Sequence, residues 1–403
     1  MNIVAVGYFF VIAWLLGLTL IRKLKLKFNF IASVAVSGIV GIICLTQILF
    51  WQSWFVPFKA ESILISLSLL TGGLVLWWSQ QIKKIKKIEI KVNKKRLKSW
   101  GLFLLVWLGL FLLIWSQMLK READGVYAGW VNIWGDWAAH LTYTTSFGWG
   151  NNLPPVMPIL AKAKFSYPFM ADFLSAILLK LQGNIFVAML WPSLILSMLL
   201  VIVITVLGQE ISKNSRVGKL TTTLFLFNGG LGFWWWLKDI KTLGLDAVIS
   251  DLPREYTHLE KLANIEWINI ITSQVVPQRG FLLGFPAAVL VYLLLWRYWN
   301  QRQSKNLLAA GLLTAMLPLI HAHSVAVIGV VSVILFGLEL IQAKKKVLVV
   351  KNWLKFFLPI GLLGLPQMMY FYSGSLTTGS FIHWLPGWLS IKRGDSIYWF
   401  WVK

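Results

Sequence analysis

Long apolar runs recur along the whole chain and alternate with short basic segments. Uncharged stretches such as Val187–Gly208 and Gly280–Trp296 are long enough to cross a hydrocarbon layer about 30 Å thick as helices. A bilayer interior offers no water to backbone N–H and C=O groups, so such runs are read as helix. The pattern predicts spans at 3–21, 30–50, 62–80, 100–117, 185–207, 219–236, 280–297, 306–320, 324–342 and 356–372. The expected fold is an all-α polytopic membrane protein of about ten transmembrane helices, with amphipathic surface helices in a long outer loop.

Composition agrees with this reading. Hydrophobic residues make up 58%, charged residues 13%, and the mean hydropathy is +0.70. Soluble domains carry closer to a quarter charged residues. The single cysteine, Cys44, excludes a disulfide framework and a cysteine-built metal site within one chain.

The net charge of +23 would suggest nucleic acid in a soluble protein, but its placement argues otherwise. Five segments, Arg22–Lys27, Lys83–Lys98, Lys213–Lys219, Arg297–Lys305 and Lys344–Lys355, hold 24 of the 38 basic residues and one acid, Glu89. That is the bias of cytoplasmic loops, and no nucleic-acid partner is expected. The run Lys83–Lys98 is also suited to anionic lipid headgroups. Met1–Leu20 has no basic stretch before it, which predicts an uncleaved first helix with its N-terminus outside. The expected location is therefore an integral, multi-pass membrane, taken as a prokaryotic plasma membrane.

Placing the basic loops inside sends the polar chemistry outside. The outer segments receive 12 of the 15 acids, and all five histidines (140, 258, 321, 323 and 383) fall there or at its edge. The site is expected on that face, since loops carry function more often than scaffolds do. Two outer loops are long, 119–184 and 237–279. In the first, Val131–Phe147 has helical character. Asn132, Asp136, His140, Tyr143 and Phe147 share one face, which suits a surface helix with Asp136 and His140 turned outward. Ser166–Lys180 is expected to form a second surface helix, with Pro168 in its first turn and Asp172 within it, where simple solvation is the plain alternative to a binding role. The second loop opens with Trp234-Trp235-Trp236, read as interface anchors, and carries Glu266 beside Trp267. Asn228-Gly229-Gly230 is expected to permit close helix packing or a kink.

Around Asp136 the layout resembles the GT-C superfamily of membrane glycosyltransferases. A helix running from inside to outside (100–117) precedes a long first outer loop with an acid, here in Gly135–Leu141 (GDWAAHL), and with Tyr167–Ala176 (YPFMADFLSA) further on. The resemblance covers roughly 100–403. It divides the chain into an N-terminal three-helix extension with a basic loop (1–98) and a GT-C-like core (99–403). Many members pair two acids in this loop, whereas Asp136 is followed by Trp137-Ala138.

The resemblance implies transfer of a sugar, with inversion, from a polyprenyl phosphate or diphosphate donor to a lipid, glycan or protein acceptor on the outer face. It implies Asp136 as the base. A divalent metal is a possible cofactor, with no ligand set assigned. Arg279, at the outer mouth of a span, is the expected binder of the leaving phosphate, since guanidinium grips phosphate bidentately. His140, His321, His323, Asp172 and Glu266 are further candidates for phosphate or substrate binding, each with an ordinary structural alternative. The turn His321–Ser324 (HAHS) offers two histidines two residues apart.

Other functions fit the same face. A lipid or glycan transporter is one, although transporters usually carry charge at the membrane midplane, and these spans are nearly free of it. An O-antigen-ligase-like enzyme of different fold is another. The aromatic stretch Asp395–Lys403 reads as the start of a further span of a longer protein.

Overall fold

In the computed structural model the described residues are 3–82, 94–129, 136–160, 163–256, 258–259, 265–266 and 269–373. Asn132, Trp267, His383, most of the run 83–98 and the segment 374–403 lie outside them.

Among the described residues, eight helices are long and apolar enough to span a membrane. They are α1 (Ile3–Lys23), α2 (Phe30–Gln52), α3 (Ala60–Ile82), α4 (Lys94–Ser116), α7 (Ile185–Ser212), α11 (Arg279–Gln301), α13 (Ala322–Gln342), and a continuous run made of α14 (Lys346–Pro359), a π-turn (Ile360–Gly364) and α15 (Leu365–Ser373). Their outer faces expose Leu105, Leu113, Val330 and Ile334. In water such a band would be costly, whereas lipid tails solvate it.

The helices between them are shorter: α5 (Asp136–Gly148), α6 (Met170–Gln182), α8 (Ser215–Leu226), α9 (Phe233–Leu243), α10 (Leu245–Ser250) and α12 (Ser304–Ala315). Two hairpins accompany them, β1 (Leu119–Glu122) with β2 (Gly125–Ala128), and β3 (His258–Leu259) with β4 (Ile265–Glu266). The first hairpin was not expected from an otherwise helical pattern.

Two predicted spans are not continuous helices. The stretch 219–236 breaks after Leu226 and resumes as α9, and the stretch 306–320 ends as helix at Ala315. Both α8 and α12 have 12 residues, about 18 Å of helix against a ~30 Å core. Each helix end leaves carbonyls without intrahelical partners, a serious penalty away from water.

Amide side chains meet them. Asn269 Nδ2 donates to Leu226 O (3.0 Å) and Asn228 O (2.7 Å) at the end of α8. At the end of α12, Gln47 Nε2 donates to Met316 O (3.0 Å) and Gln367 Nε2 to Ala315 O (2.9 Å). The Asn228-Gly229-Gly230 signal thus marks a helix end, whose free carbonyls at Leu226 and Asn228 are met by Asn269.

The basic segments that are described converge on one end of the bundle. Lys305 Nζ donates to Lys25 O, Arg297 Nη1 to Lys27 O, and Lys219 Nζ to Ser99 O. At the other end α5, α6, the 271–279 turn and the start of α13 come together: Trp137 Nε1 donates to Val276 O, and Met170 N to Leu319 O. One end is basic and the other holds the candidate chemistry, as the alternation of loops requires.

Glycine sets the closest helix crossing. A Cβ on Gly17 would lie 2.0 Å from Ser37 O, and one on Gly41 1.7 Å from Ala13 O. Bare backbone at both positions lets α1 and α2 touch. Gly41→Val is therefore expected to lower the thermal midpoint in detergent, by the equivalent of about 1–3 kcal/mol or more. Gly7→Val, on a helix position with open space around it, is expected to leave that midpoint unchanged.

Candidate functional site

The polar end is organised around a buried carboxylate. Asp172 is 0% exposed in the first turn of α6. The expected solvated surface helix is instead a core element, since every residue of Met170–Gln182 except Lys180 is buried. Its start also differs: Phe169 precedes the helix and Pro168 lies before that, outside the first turn.

Asp172 meets two side chains from other elements. His140 Nδ1 lies 3.0 Å from both carboxylate oxygens, and Arg279 Nε lies 3.3 Å from Oδ1. His140 is therefore turned inward, 2% exposed, against the expectation that it shares an outward face with Asp136. The reason is the partner: a buried carboxylate needs polar partners, and α5 packs its His140 face onto α6.

Arg279 is committed as well. Besides Asp172, it donates from Nη1 to Met189 O (3.1 Å) and Ser193 Oγ (3.0 Å), and from Nη2 to Ser175 Oγ. Its guanidinium carbon lies 5.9 Å from the Trp137 ring centroid, and only 4% of the residue is exposed. One residue so links α5, α6, α7 and α11. The sequence placed Arg279 at a span mouth, but gave no sign that Ser175 and Ser193 would line its pocket.

Asp136 opens α5 and is half-buried, beside rather than within this cluster. Tyr167 lies near both, its ring 5.9 Å from that of His140 and its phenol within reach of the charges of Asp172 and Asp136. Burial pushes the Tyr167 phenol well above its ordinary range, and the charges of Asp172 and then Asp136 add to that. The phenol therefore stays a neutral hydrogen-bonding group, 3.3 Å from Gln278 Oε1.

Beyond Tyr167 a groove of about 550 Å³ runs between α11 and α13. Its polar rim is Tyr167, Gln274, Gln278, His321, His323 and Ser324, and its walls are Phe281, Phe285, Ala288, Tyr292 and Val327. Both histidines of HAHS stand on this rim, with ring centroids 5.5 Å apart. His321 Nδ1 lies 2.8 Å from Ser324 Oγ, its ring packs edge-on against Phe281, and its Cβ sits over Gly284. Gln274 and Gln278, missed in the sequence, carry no signal beyond their nearness to Arg279.

Glu266 is placed only by its backbone, which pairs with His258 across the β3–β4 hairpin. Asp239, in the same outer region, is tied to Arg254 (2.9 Å) and Tyr256 (2.8 Å). Among the described residues no three His, Cys, Asp or Glu side chains converge to hold a metal ion. Compared with protein families, curated proteins and solved structures, the chain matches none.

Two outcomes follow from the geometry. Asp172→Asn leaves Arg279 buried without its counter-charge, and is expected to destabilise by about 3–5 kcal/mol. Thermal unfolding in detergent measures it, and a double replacement Asp172→Leu/Arg279→Met is expected to recover much of the loss. Separately, burial, with the charge of His323 second, pushes His321 down to about 4 from an ordinary value near 6.5. A histidine kept neutral by the fold stabilises it above pH 6.5, and that contribution is lost as pH falls toward 4. Lowering pH from 7 to 5 is thus expected to cost about 2 kcal/mol, and His321→Gln to remove that part of the acid sensitivity in pH-dependent unfolding.

Proposed function

We propose that this chain is a membrane glycosyltransferase that takes its sugar from a polyprenyl phosphate or diphosphate donor at the polar end of the bundle. The observation that carries the reading is the groove between α11 and α13. Its hydrogen-bonding rim stands above aromatic and aliphatic walls, the profile of a headgroup joined to an isoprenoid tail. The resemblance of the 100–184 region to the GT-C layout supports the same reading.

In that reaction an acceptor hydroxyl attacks the anomeric carbon from the face opposite the phosphate. The bond from that carbon to the phosphate oxygen breaks, and the lipid phosphate leaves with the electron pair. Asp136 takes the hydroxyl proton as general base, which its partial exposure at the start of α5 allows. In this reading Gln274, Gln278 and His323, which line the groove, hydrogen-bond the phosphate and steady its growing charge. Arg279 acts at one remove: its terminal nitrogens donate to Met189 O, Ser193 Oγ and Ser175 Oγ and its Nε faces Asp172, so it fixes Asp172, which packs against His140 behind Tyr167.

A lipid carrier would use the same groove without transfer, so the assay must read covalent chemistry. Purified protein in nanodiscs is given radiolabelled polyprenyl-phosphate sugars with a membrane extract as acceptor, with and without chelator. Asp136→Asn is expected to lower transfer by about 10²–10⁴-fold while the fold is retained. A lesser fall, about tenfold, is expected for Gln278→Ala. Activity unchanged in Asp136→Asn sinks the base assignment, and labelled lipid crossing the bilayer without transfer favours the carrier. Loss of transfer with chelator adds a metal to the scheme.

A further inference from the structure

The basic end of the bundle holds a second groove, independent of the transfer reading. It lies along α1 and α2 and encloses about 680 Å³. Trp14, Leu15, Leu18 and Val34 form its length, and Arg22 and Lys27 stand at its mouth.

The 24–29 loop above that mouth is held from two other helices. Arg297 Nη1 donates to Lys27 O (2.7 Å), and Lys305 Nζ donates to Lys25 O (2.7 Å). Arg297 also lies 4.3 Å from the Phe28 ring centroid. Basic side chains are thus drawn to the carbonyls of a loop that is itself basic, which fixes the loop but neutralises nothing. Arg22 is steadied separately, 4.3 Å from the Trp78 ring centroid.

Carboxylates at this end are already spent. Among the described residues they are Glu210, paired with Arg297 (3.0 Å), and Glu339, paired with Arg302 (2.7 Å). Arg22 and Lys27 have no such partner among the described residues, and both are exposed at the groove. Deeper in the groove is Ser37, 2% exposed, whose hydroxyl has no hydrogen-bond partner. It sits seven residues into α2, about 10 Å below the helix start.

A cationic mouth over an apolar trough describes a single kind of ligand. We infer that the groove binds one anionic phospholipid. Its phosphate lies between Arg22 and Lys27, and one acyl chain runs down the trough past Leu18 and Val34 toward Trp14 and Ser37. Charge complementarity selects the anionic headgroup over a zwitterionic one.

The test uses the full chain in mixed phosphatidylglycerol and phosphatidylcholine, with tightly held lipid identified by native mass spectrometry. Wild type is expected to retain one phosphatidylglycerol with about thirtyfold preference, the value for two basic contacts near a membrane surface. Arg22→Gln/Lys27→Gln is expected to lose nearly all of that preference. Lys238→Gln/Lys241→Gln, with equal charge removed on α9, is expected to keep it. Val34→Trp fills the trough without touching charge, and is expected to lose the lipid despite a native thermal midpoint. An unchanged preference in the Arg22/Lys27 variant overturns the headgroup site. Full retention in Val34→Trp, or equal loss in the Lys238/Lys241 control, overturns the groove by reducing the effect to diffuse surface attraction.

Discussion

A carboxylate with no exposure to solvent is the constraint around which the polar end is built. A buried carboxylate calls for close polar partners, and the His140 ring and the Arg279 guanidinium come from helices far apart in sequence to meet Asp172. Burying Arg279 in turn calls for acceptors, and Ser175, Ser193 and the Met189 carbonyl accept from its terminal nitrogens. Each demand recruits another element. The result orders the first outer loop against the membrane bundle more sharply than apolar packing would, because hydrogen-bonded charge has few acceptable geometries.

The membrane imposes a second constraint, on the backbone. Helices α8 and α12 stop early, and their last carbonyls are met by Asn269, Gln47 and Gln367 rather than by water. This makes room. Where α12 stops, residues 316–320 turn and bring His321 over Gly284 of α11, so that the start of α13 forms one rim of the groove. Where α8 stops, the chain leaves for α9, whose Phe233, Trp234 and Leu237 are exposed as on a helix lying at a membrane surface. Two interrupted helices therefore do for this fold what long loops do in soluble enzymes: they supply irregular backbone beside a rigid frame.

Much of the frame was legible in the sequence, because uncharged runs of spanning length have one stable answer in lipid. The paired orientation of the loops followed from where Lys and Arg gather, and the Lys305–Lys25 and Arg297–Lys27 bonds join those segments directly. The breaks in 219–236 and 306–320 left weaker marks, Asn228-Gly229-Gly230 and Pro318, which hydropathy alone overrides. The inner direction of His140 was not legible. Periodicity shows which residues share a face, but not which element will cover it. A Lys-bearing helix such as Met170–Gln182 looks half-exposed until α1, α2, α3, α5, α7 and α11 are seen packed around it. Amide caps are harder still, since a single Gln in an apolar run carries no spacing to read.

The two acids of the first outer loop illustrate how environment divides labour between identical groups. Asp172 is closed in between His140 and Arg279, so an acceptor hydroxyl has no path to it. Asp136 stands one helical turn from His140 at a helix N-terminus, half-buried, with Tyr167 near both it and the cluster. A general base must both reach its proton and release it afterwards, which suits a carboxylate that has no ion pair among the described residues. Under the proposed transfer reaction the proton therefore goes to Asp136, and the charge of Asp172 serves position. It holds His140 and Arg279 in place, they hold Tyr167 and the 271–279 turn, and the groove takes its shape from that turn.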